Sequence, residues 1–221
     1  MRLGAVLLAA FAFGVFAAWA KGQGTGGISG VRATLGNVST PWVLVGFFAG
    51  AQTTQLGRGA LLGLLATAVA LVGFCIFTTL VENLGGHGFV GDLRLELSGN
   101  RAYFEGGILT GPLFGALGAK LRQHESRQQQ HGRERRSTGR TALLVGALLI
   151  AEPLGMVVLG AVKGHVLARA TGLPLGARII PGWGLNGSSG STSWAIYGIE
   201  FLLGIAVVAW SLRNRLTERL R

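Results

Sequence analysis

A basic stretch that separates two long apolar segments, residues 120–140, constrains the arrangement of this chain more than any other feature. It contains two acidic residues and seven basic ones, which are Lys120, Arg122, Arg127, Arg133, Arg135, Arg136 and Arg140. Placing Lys or Arg at the centre of a membrane helix costs about 2.5 to 3.5 kcal/mol per residue, and short loops rich in these residues stay in the cytoplasm. We therefore predict that the stretch is a cytoplasmic loop, which orients the apolar segments on both sides of it.

The composition excludes an ordinary soluble domain. Hydrophobic residues make up 49% of the chain, charged residues only 13%, and the mean hydropathy is +0.49. A net charge of +11 would suggest a nucleic-acid partner in a soluble protein, but here the basic residues flank apolar segments and are not interleaved with aromatic ones. We predict a lipid bilayer as the partner, no nucleic acid, and a net charge that serves as a topology signal.

Six apolar segments are long enough, or nearly so, to cross a hydrocarbon core about 30 Å thick. The sequence thus predicts an all-α polytopic membrane protein in one domain, with transmembrane helices at residues 3–20, 41–56, 60–80, 102–121, 141–162 and 194–212. The first segment also fits a secretory signal peptide, because Ala18-Trp19-Ala20 has the small-x-small pattern of a cleavage site. Its eighteen residues without a charge favour an uncleaved helix.

The distribution of charge predicts that both termini are cytoplasmic. With six spans, 13 of the 20 basic residues lie inside and seven lie outside. Removal of one internal span would put the basic stretch and the basic C-terminal tail on opposite sides of the membrane, against this bias. The seven cations of residues 120–140 are also expected to attract anionic lipid headgroups.

The connections between spans carry weaker signals. Thr40 and Pro41 resemble an N-cap followed by the first helical residue, which predicts where the second span begins. Residues 57–59, Gly-Arg-Gly, are predicted to form an inner turn. Residues 81–100 are predicted to form an outer loop containing a short strand or an interfacial segment.

Three acidic residues within the predicted spans are the candidate ligand-binding groups, because ionisable groups inside a bilayer are costly and often functional. Glu152 lies near the middle of the fifth span, Glu200 in the outer half of the sixth, and Glu105 near the start of the fourth. No Lys or Arg lies at matching depth, so these carboxyl groups are expected to be protonated or to bind a cation. Tyr197 and Trp194, at the outer end of the sixth span, complete the candidate site.

Each acidic residue also has a simpler interpretation. Glu105 and Glu200 lie near helix N-termini, where the helix dipole stabilises an acidic side chain by about 0.3 to 1 kcal/mol. Glu152 precedes Pro153, which leaves a backbone carbonyl without its intrahelical donor, and a neutral Glu152 could bond to another helix. The binding and structural interpretations both remain open for Glu152 and Glu200.

Gly107, Gly111 and Gly115 recur every four residues in the fourth span. One face of this helix is therefore bare backbone, which allows close van der Waals packing where lipid provides no hydrophobic driving force. The face is predicted to pack against another helix, either of this chain or of a partner membrane protein.

The sequence contains no convincing enzyme motif, so we expect no catalytic residue, no cofactor and no bound metal. Residues 187–190, Gly-Ser-Ser-Gly, resemble the motif of intramembrane rhomboid proteases, but no histidine follows His165 to act as the base. The pair His124 and His131 does not match zinc-ligand spacing.

Residues 35–42 (LGNVSTPW), 111–115 (GPLFG) and 151–153 (AEP) resemble a domain-of-unknown-function family of small actinobacterial integral membrane proteins. This resemblance implies a location in the bacterial plasma membrane and supplies no activity. By architecture alone, the chain is similar to the six-helix substrate-binding components of energy-coupling-factor vitamin transporters.

Two functions follow as hypotheses. The first is the binding or transport of a small solute or cation in an outward-facing, carboxylate-lined cavity, with residues 21–39 and 163–193 acting as lids. The second is a scaffold or partner subunit that docks through the glycine face.

Overall fold

A computed structural model describes residues 3–21, 39–81, 86–130, 137–163 and 191–219. Within these ranges every regular element is an α-helix, which confirms the all-α prediction. The helices are α1 (Leu3–Lys21), α2 (Ser39–Gly50), α3 (Leu56–Val81), α4 (Gly88–Gly99), α5 (Arg101–Gln130), α6 (Ser137–Lys163) and α7 (Ser191–Arg219).

Each of the six predicted spans corresponds to a helix, but the boundary between α2 and α3 differs from the prediction. Helix α2 ends at Gly50 and the chain turns through residues 51–55, where the backbone N–H of Gln55 donates to the Thr53 hydroxyl oxygen at 3.2 Å. Polar side chains such as Thr53 compete with helical hydrogen bonds and favour turns. The prediction of an inner turn at residues 57–59 is wrong, because these residues lie in the first turn of α3.

Residues 88–99 form a helix, α4, so the strand alternative for the predicted outer loop is wrong. Gly86 and Gly88 have φ values of +69° and +76°, a region that glycine adopts without strain, and they form the turn that leads into α4. At the other end, the Asn100 side-chain amide donates to the Glu96 carbonyl at 2.9 Å and to its carboxylate at 2.8 Å. Asn100 therefore closes α4 immediately before α5 begins.

The described part of the predicted cytoplasmic loop, residues 120–130 and 137–140, is helical. Helix α5 continues to Gln130 and α6 starts at Ser137, so the loop prediction for residues 120–130 is wrong. This segment consists mainly of Lys, Leu, Arg, Gln and Glu, which are strong helix formers even where no apolar face is required. The Thr141 hydroxyl donates to the Glu125 carboxylate at 3.2 Å and joins the start of α6 to this extension.

Helix α3 lies at the centre of the first five helices and packs against α1, α2 and α5. Trp42 of α2 makes edge-to-face contacts with Phe13 of α1, at a centroid distance of 5.2 Å, and with Phe74 of α3, at 5.8 Å. Elsewhere small residues such as Ala66 and Ala70 are fully buried, which brings the helix backbones close together. The core is thus built from glycine and alanine contacts around one aromatic cluster.

The glycine face of α5 packs within the chain. A Cβ atom added to Gly111 would lie 2.9 Å from the Cα of Leu64, and one added to Gly115 would lie 2.8 Å from the Cα of Gly63. Gly107 of α5 faces the side chain of Thr67, which belongs to α3 like Leu64 and Gly63. The predicted close helix approach therefore occurs between α5 and α3.

Helices α6 and α7 pack mainly on each other. A Cβ atom on Gly204 of α7 would lie 2.9 Å from the carbonyl oxygen of Gly146 and 3.0 Å from the backbone nitrogen of Ile150. This pair contacts the other helices less extensively, chiefly at α2 and α5. The few contacts that join the pair to the rest of the bundle consequently determine where α6 and α7 sit.

Three helical segments are long and apolar enough to cross a membrane: α1, α3 and Ile196–Asn214 of α7. Large apolar side chains are exposed along the bundle, including Leu8 (69%), Leu113 (63%) and Leu202 (65%). Extensive exposed apolar surface marks contact with lipid or with another protein.

Candidate functional site

The site centres on a contact between Glu152 of α6 and Thr40 of α2, each only 3% exposed. The backbone N–H of Thr40 donates to Glu152 Oε2 at 2.6 Å, and the Thr40 hydroxyl donates to the same oxygen at 2.9 Å. The first four N–H groups of a helix have no intrahelical acceptor. Glu152 therefore caps the N-terminus of α2 from a different helix, 112 residues away in the sequence.

This contact places a carboxylate where a negative charge is stabilised. The N-terminus of a helix carries a partial positive charge, and hydrogen bonds to an ionised acceptor are about twice as strong as neutral ones. The Thr40 hydroxyl also lies 3.4 Å from the Leu148 carbonyl, one turn before Glu152. Backbone and side chain of Thr40 together hold Glu152 in one orientation.

Glu200 of α7 is buried without comparable partners. It is 5% exposed, and neither carboxylate oxygen meets the geometry of a hydrogen bond with any described residue. The Thr40 side chain and the Glu152 carboxyl group are nevertheless close enough to interact with it. If both groups were ionised they could not hydrogen-bond to each other, because a carboxylate only accepts. Glu200 is the chemically unsatisfied member of the site.

Tyr197 extends the cluster along α7. It is 7% exposed and precedes Glu200 by three residues, so both side chains lie on one face of the helix. Tyr197 interacts electrostatically with Glu152, with Glu200 and with Tyr103 of α5. Side chains from α2, α6 and α7 thus form one buried polar cluster.

The structure does not place the other two predicted site residues, Glu105 and Trp194, in this cluster. Glu105 forms an ion pair with Arg101, one helical turn away, at 2.8 Å, and its side chain is 41% exposed. Trp194 lies in the first turn of α7, but its side chain is outside the described part of the chain. The two predicted lids fall almost entirely in residues 22–38 and 164–190, which are also outside the described residues.

Sequence reasoning missed the role of Thr40 and the burial of Asp92. Thr40 was expected to cap its own helix, and its position before Pro41 was the only signal. Asp92 of α4 is 4% exposed, and its Oδ1 atom has no hydrogen-bond partner among the described residues. It lies in the segment that was predicted to be an outer loop, so no feature of the sequence indicated its burial.

Comparisons with protein-family models, with curated proteins and with solved structures find no significant match. The resemblance to the actinobacterial membrane family therefore stays a prediction. The chemistry of the cluster formed by Thr40, Glu152, Tyr197 and Glu200 is the basis for the function proposed below.

Proposed function

We propose that this chain is an integral protein of the bacterial plasma membrane that binds and transports a small cation or cationic solute through the Glu152–Glu200 pair. The observation that carries the proposal is the burial of Glu200 beside Glu152, with neither Glu200 carboxylate oxygen in a hydrogen bond of good geometry with any described residue. A buried charge without a partner costs roughly several kcal/mol, even after the surrounding protein has relaxed. A site of this kind is stabilised when a cation binds.

The charges around the pair favour a cation over an anion. Among the described residues, no Lys or Arg forms an ion pair with Glu200. The backbone N–H and the hydroxyl of Thr40 are already bonded to Glu152. An anionic ligand would therefore meet two carboxyl groups without a basic side chain to offset them.

Membrane insertion with six spans and cytoplasmic termini is part of the proposal. Its support is the exposed apolar surface, the three long apolar helical segments and the bias of basic residues toward one side. The extension of α5 beyond residue 120 would then project into the cytoplasm, where its basic residues would meet anionic headgroups.

Labelling of introduced cysteines tests this topology. We expect His87→Cys, between α3 and α4, to react with a membrane-impermeant maleimide in intact cells, because His87 would face the exterior. His124→Cys should react only after permeabilisation, because it would lie in the cytoplasm. The unmodified chain is a matched control, since its single cysteine, Cys75, is fully buried. The reverse labelling pattern would contradict the topology.

Ion flux in liposomes tests the function. We expect purified protein to carry protons, sodium, potassium or small organic ammonium ions faster than protein-free liposomes. Glu200→Gln and Glu152→Gln should each abolish this flux while leaving the protein inserted, because each removes a carboxyl group from the site that binds the cation. Measurements would follow internal pH, ion content and membrane potential under imposed gradients.

Glu105→Gln is the control for these variants. It also removes one carboxylate, but from a largely exposed pair with Arg101, so flux should be unchanged. No flux of any tested cation, or full flux in Glu200→Gln, would overturn the proposal. The alternative of docking through the glycine face is less favoured, because α3 already covers Gly111 and Gly115.

A further inference from the structure

We infer that the ligand of this site is a proton, that Glu200 carries it, and that Glu152 is the fixed carboxylate that accepts a hydrogen bond from Glu200. The inference rests on the proposed function for the role of the site in cation binding. It adds the identity of the ligand and a division of roles between two acidic residues.

The two carboxyl groups are not equivalent. Glu152 Oε2 accepts from both the backbone N–H and the hydroxyl of Thr40, whereas Glu200 lies near the Thr40 side chain without a hydrogen bond of good geometry from any described residue. The two groups are nearly equally buried, at 3% and 5% exposure, so burial does not distinguish them. The hydrogen-bond donors do distinguish them. The backbone N–H and the hydroxyl of Thr40 both donate to Glu152 and stabilise a negative charge there.

The charge of the pair follows from this difference. Two adjacent buried carboxyl groups cannot both be ionised without a compensating cation, and the proton goes to the group whose charge is less stabilised. That group is Glu200. A protonated Glu200 has an O–H donor and can bond to the Glu152 carboxylate, and acid–carboxylate hydrogen bonds are among the strongest in proteins. A single proton on Glu200 therefore gives its carboxyl group a hydrogen bond to Glu152.

The described groups around the pair favour a proton over a metal ion as its ligand. Calcium and magnesium require about six or more oxygen ligands. The described residues contain no group of three or more His, Cys, Asp or Glu side chains that could hold a metal. Among the described residues, the other groups that interact with the pair are Thr40 and Tyr197, neither of which supplies a negative charge at neutral pH. A proton needs none of these additional ligands.

Dicyclohexylcarbodiimide, an apolar reagent for protonated buried carboxyl groups, tests the inference on the purified full-length protein in detergent. The carboxylic acid O–H adds across one C=N bond, and the O-acylisourea rearranges to a stable N-acylurea with no leaving group. We expect peptide mass spectrometry to find the adduct on Glu200 and not on Glu152. Above the midpoint of labelling, each further pH unit should lower the labelling about tenfold, as for loss of one proton.

Two variants and one spectroscopic measurement complete the test. Glu200→Gln should remove the adduct, and Glu105→Gln should leave it in place. An infrared carbonyl band of a protonated carboxylic acid should be present in the unmodified protein and absent from Glu200→Gln, whether or not the reagent reaches the site. Absence of this band from the unmodified protein, labelling of Glu152 in place of Glu200, or protection of Glu200 by sodium at constant pH would overturn the inference.

The outcomes also separate this inference from the proposed function. Labelling of Glu200 in a protein that carries no cation in liposomes would leave the proton on Glu200 and remove the transport proposal. Glu200-dependent flux without a protonated Glu200 would do the opposite.

Discussion

Replacing Gly115 with alanine should strongly destabilise the folded chain, although the substitution adds only one methyl group. The new Cβ would lie 2.8 Å from the Cα and 3.0 Å from the nitrogen of Gly63, both backbone atoms of α3. A backbone cannot change rotamer to make room, so α5 and α3 must move apart along their closest contact. Overpacking typically costs about 1 to 3 kcal/mol, and we expect a value at the upper end of that range or above it. Thermal unfolding in detergent, followed by circular dichroism, measures the effect.

The same substitution at Gly57 is the matched control. A Cβ atom there would have no heavy atom within 4 Å, and Gly57 is exposed in the first turn of α3. Because alanine has a higher helix propensity than glycine by up to about 1 kcal/mol, Gly57→Ala should leave stability unchanged or raise it slightly. Equal destabilisation by both substitutions would contradict the packing argument. If Gly115→Ala kept its stability but lost an oligomer, the docking alternative would be favoured instead.

The sequence predicted the helical architecture well because hydropathy and charge act locally along the chain. Each predicted span corresponds to a helix, because a long apolar run defines a helix even where it contains a proline, as Pro112 and Pro153 show. The wrong predictions concern polar segments, which can form either an exposed helix or a loop. Residues 88–99 and 120–130 contain enough charge to appear loop-like, yet their leucine, glutamate and arginine residues also form stable helices. Hydropathy alone does not separate an exposed helix from a loop.

The candidate site was only partly predictable. Burial cost identifies Glu152 and Glu200 from the sequence, because that cost depends on residue type and surrounding apolarity. It does not reveal which carboxyl group receives donors, since Thr40 lies 112 residues before Glu152 and its contact depends on how α2 meets α6. The contact of Glu105, in contrast, is local in the sequence. Its partner Arg101 lies four residues earlier, so helical spacing alone predicts that ion pair.

Replacing Glu152 with leucine should be the most damaging change at the site. It removes both hydrogen bonds from Thr40 and leaves a buried backbone N–H without an acceptor. Hydrogen bonds to charged groups contribute about 1.5 to 3 kcal/mol, and an unsatisfied buried donor costs about 1 to 3 kcal/mol. Because this contact is also one of few between the α6–α7 pair and α2, its loss should loosen that pair. Glu152→Gln keeps an acceptor oxygen, so its effect on unfolding should be clearly smaller.

A double-mutant cycle with Thr40→Val tests whether this cost comes from the contact itself. Valine has nearly the shape of threonine but removes the hydroxyl donor, while the backbone N–H of residue 40 remains. If the hydroxyl and the carboxylate interact directly, Glu152→Leu should cost less in the Thr40→Val background than in the original protein. The difference should be about 0.5 to 3 kcal/mol, the range found for side chains in contact. Additive effects on thermal unfolding would show that Glu152 stabilises the fold without the help of the Thr40 hydroxyl. The assignment of Glu152 as the fixed carboxylate would then rest on the backbone N–H alone.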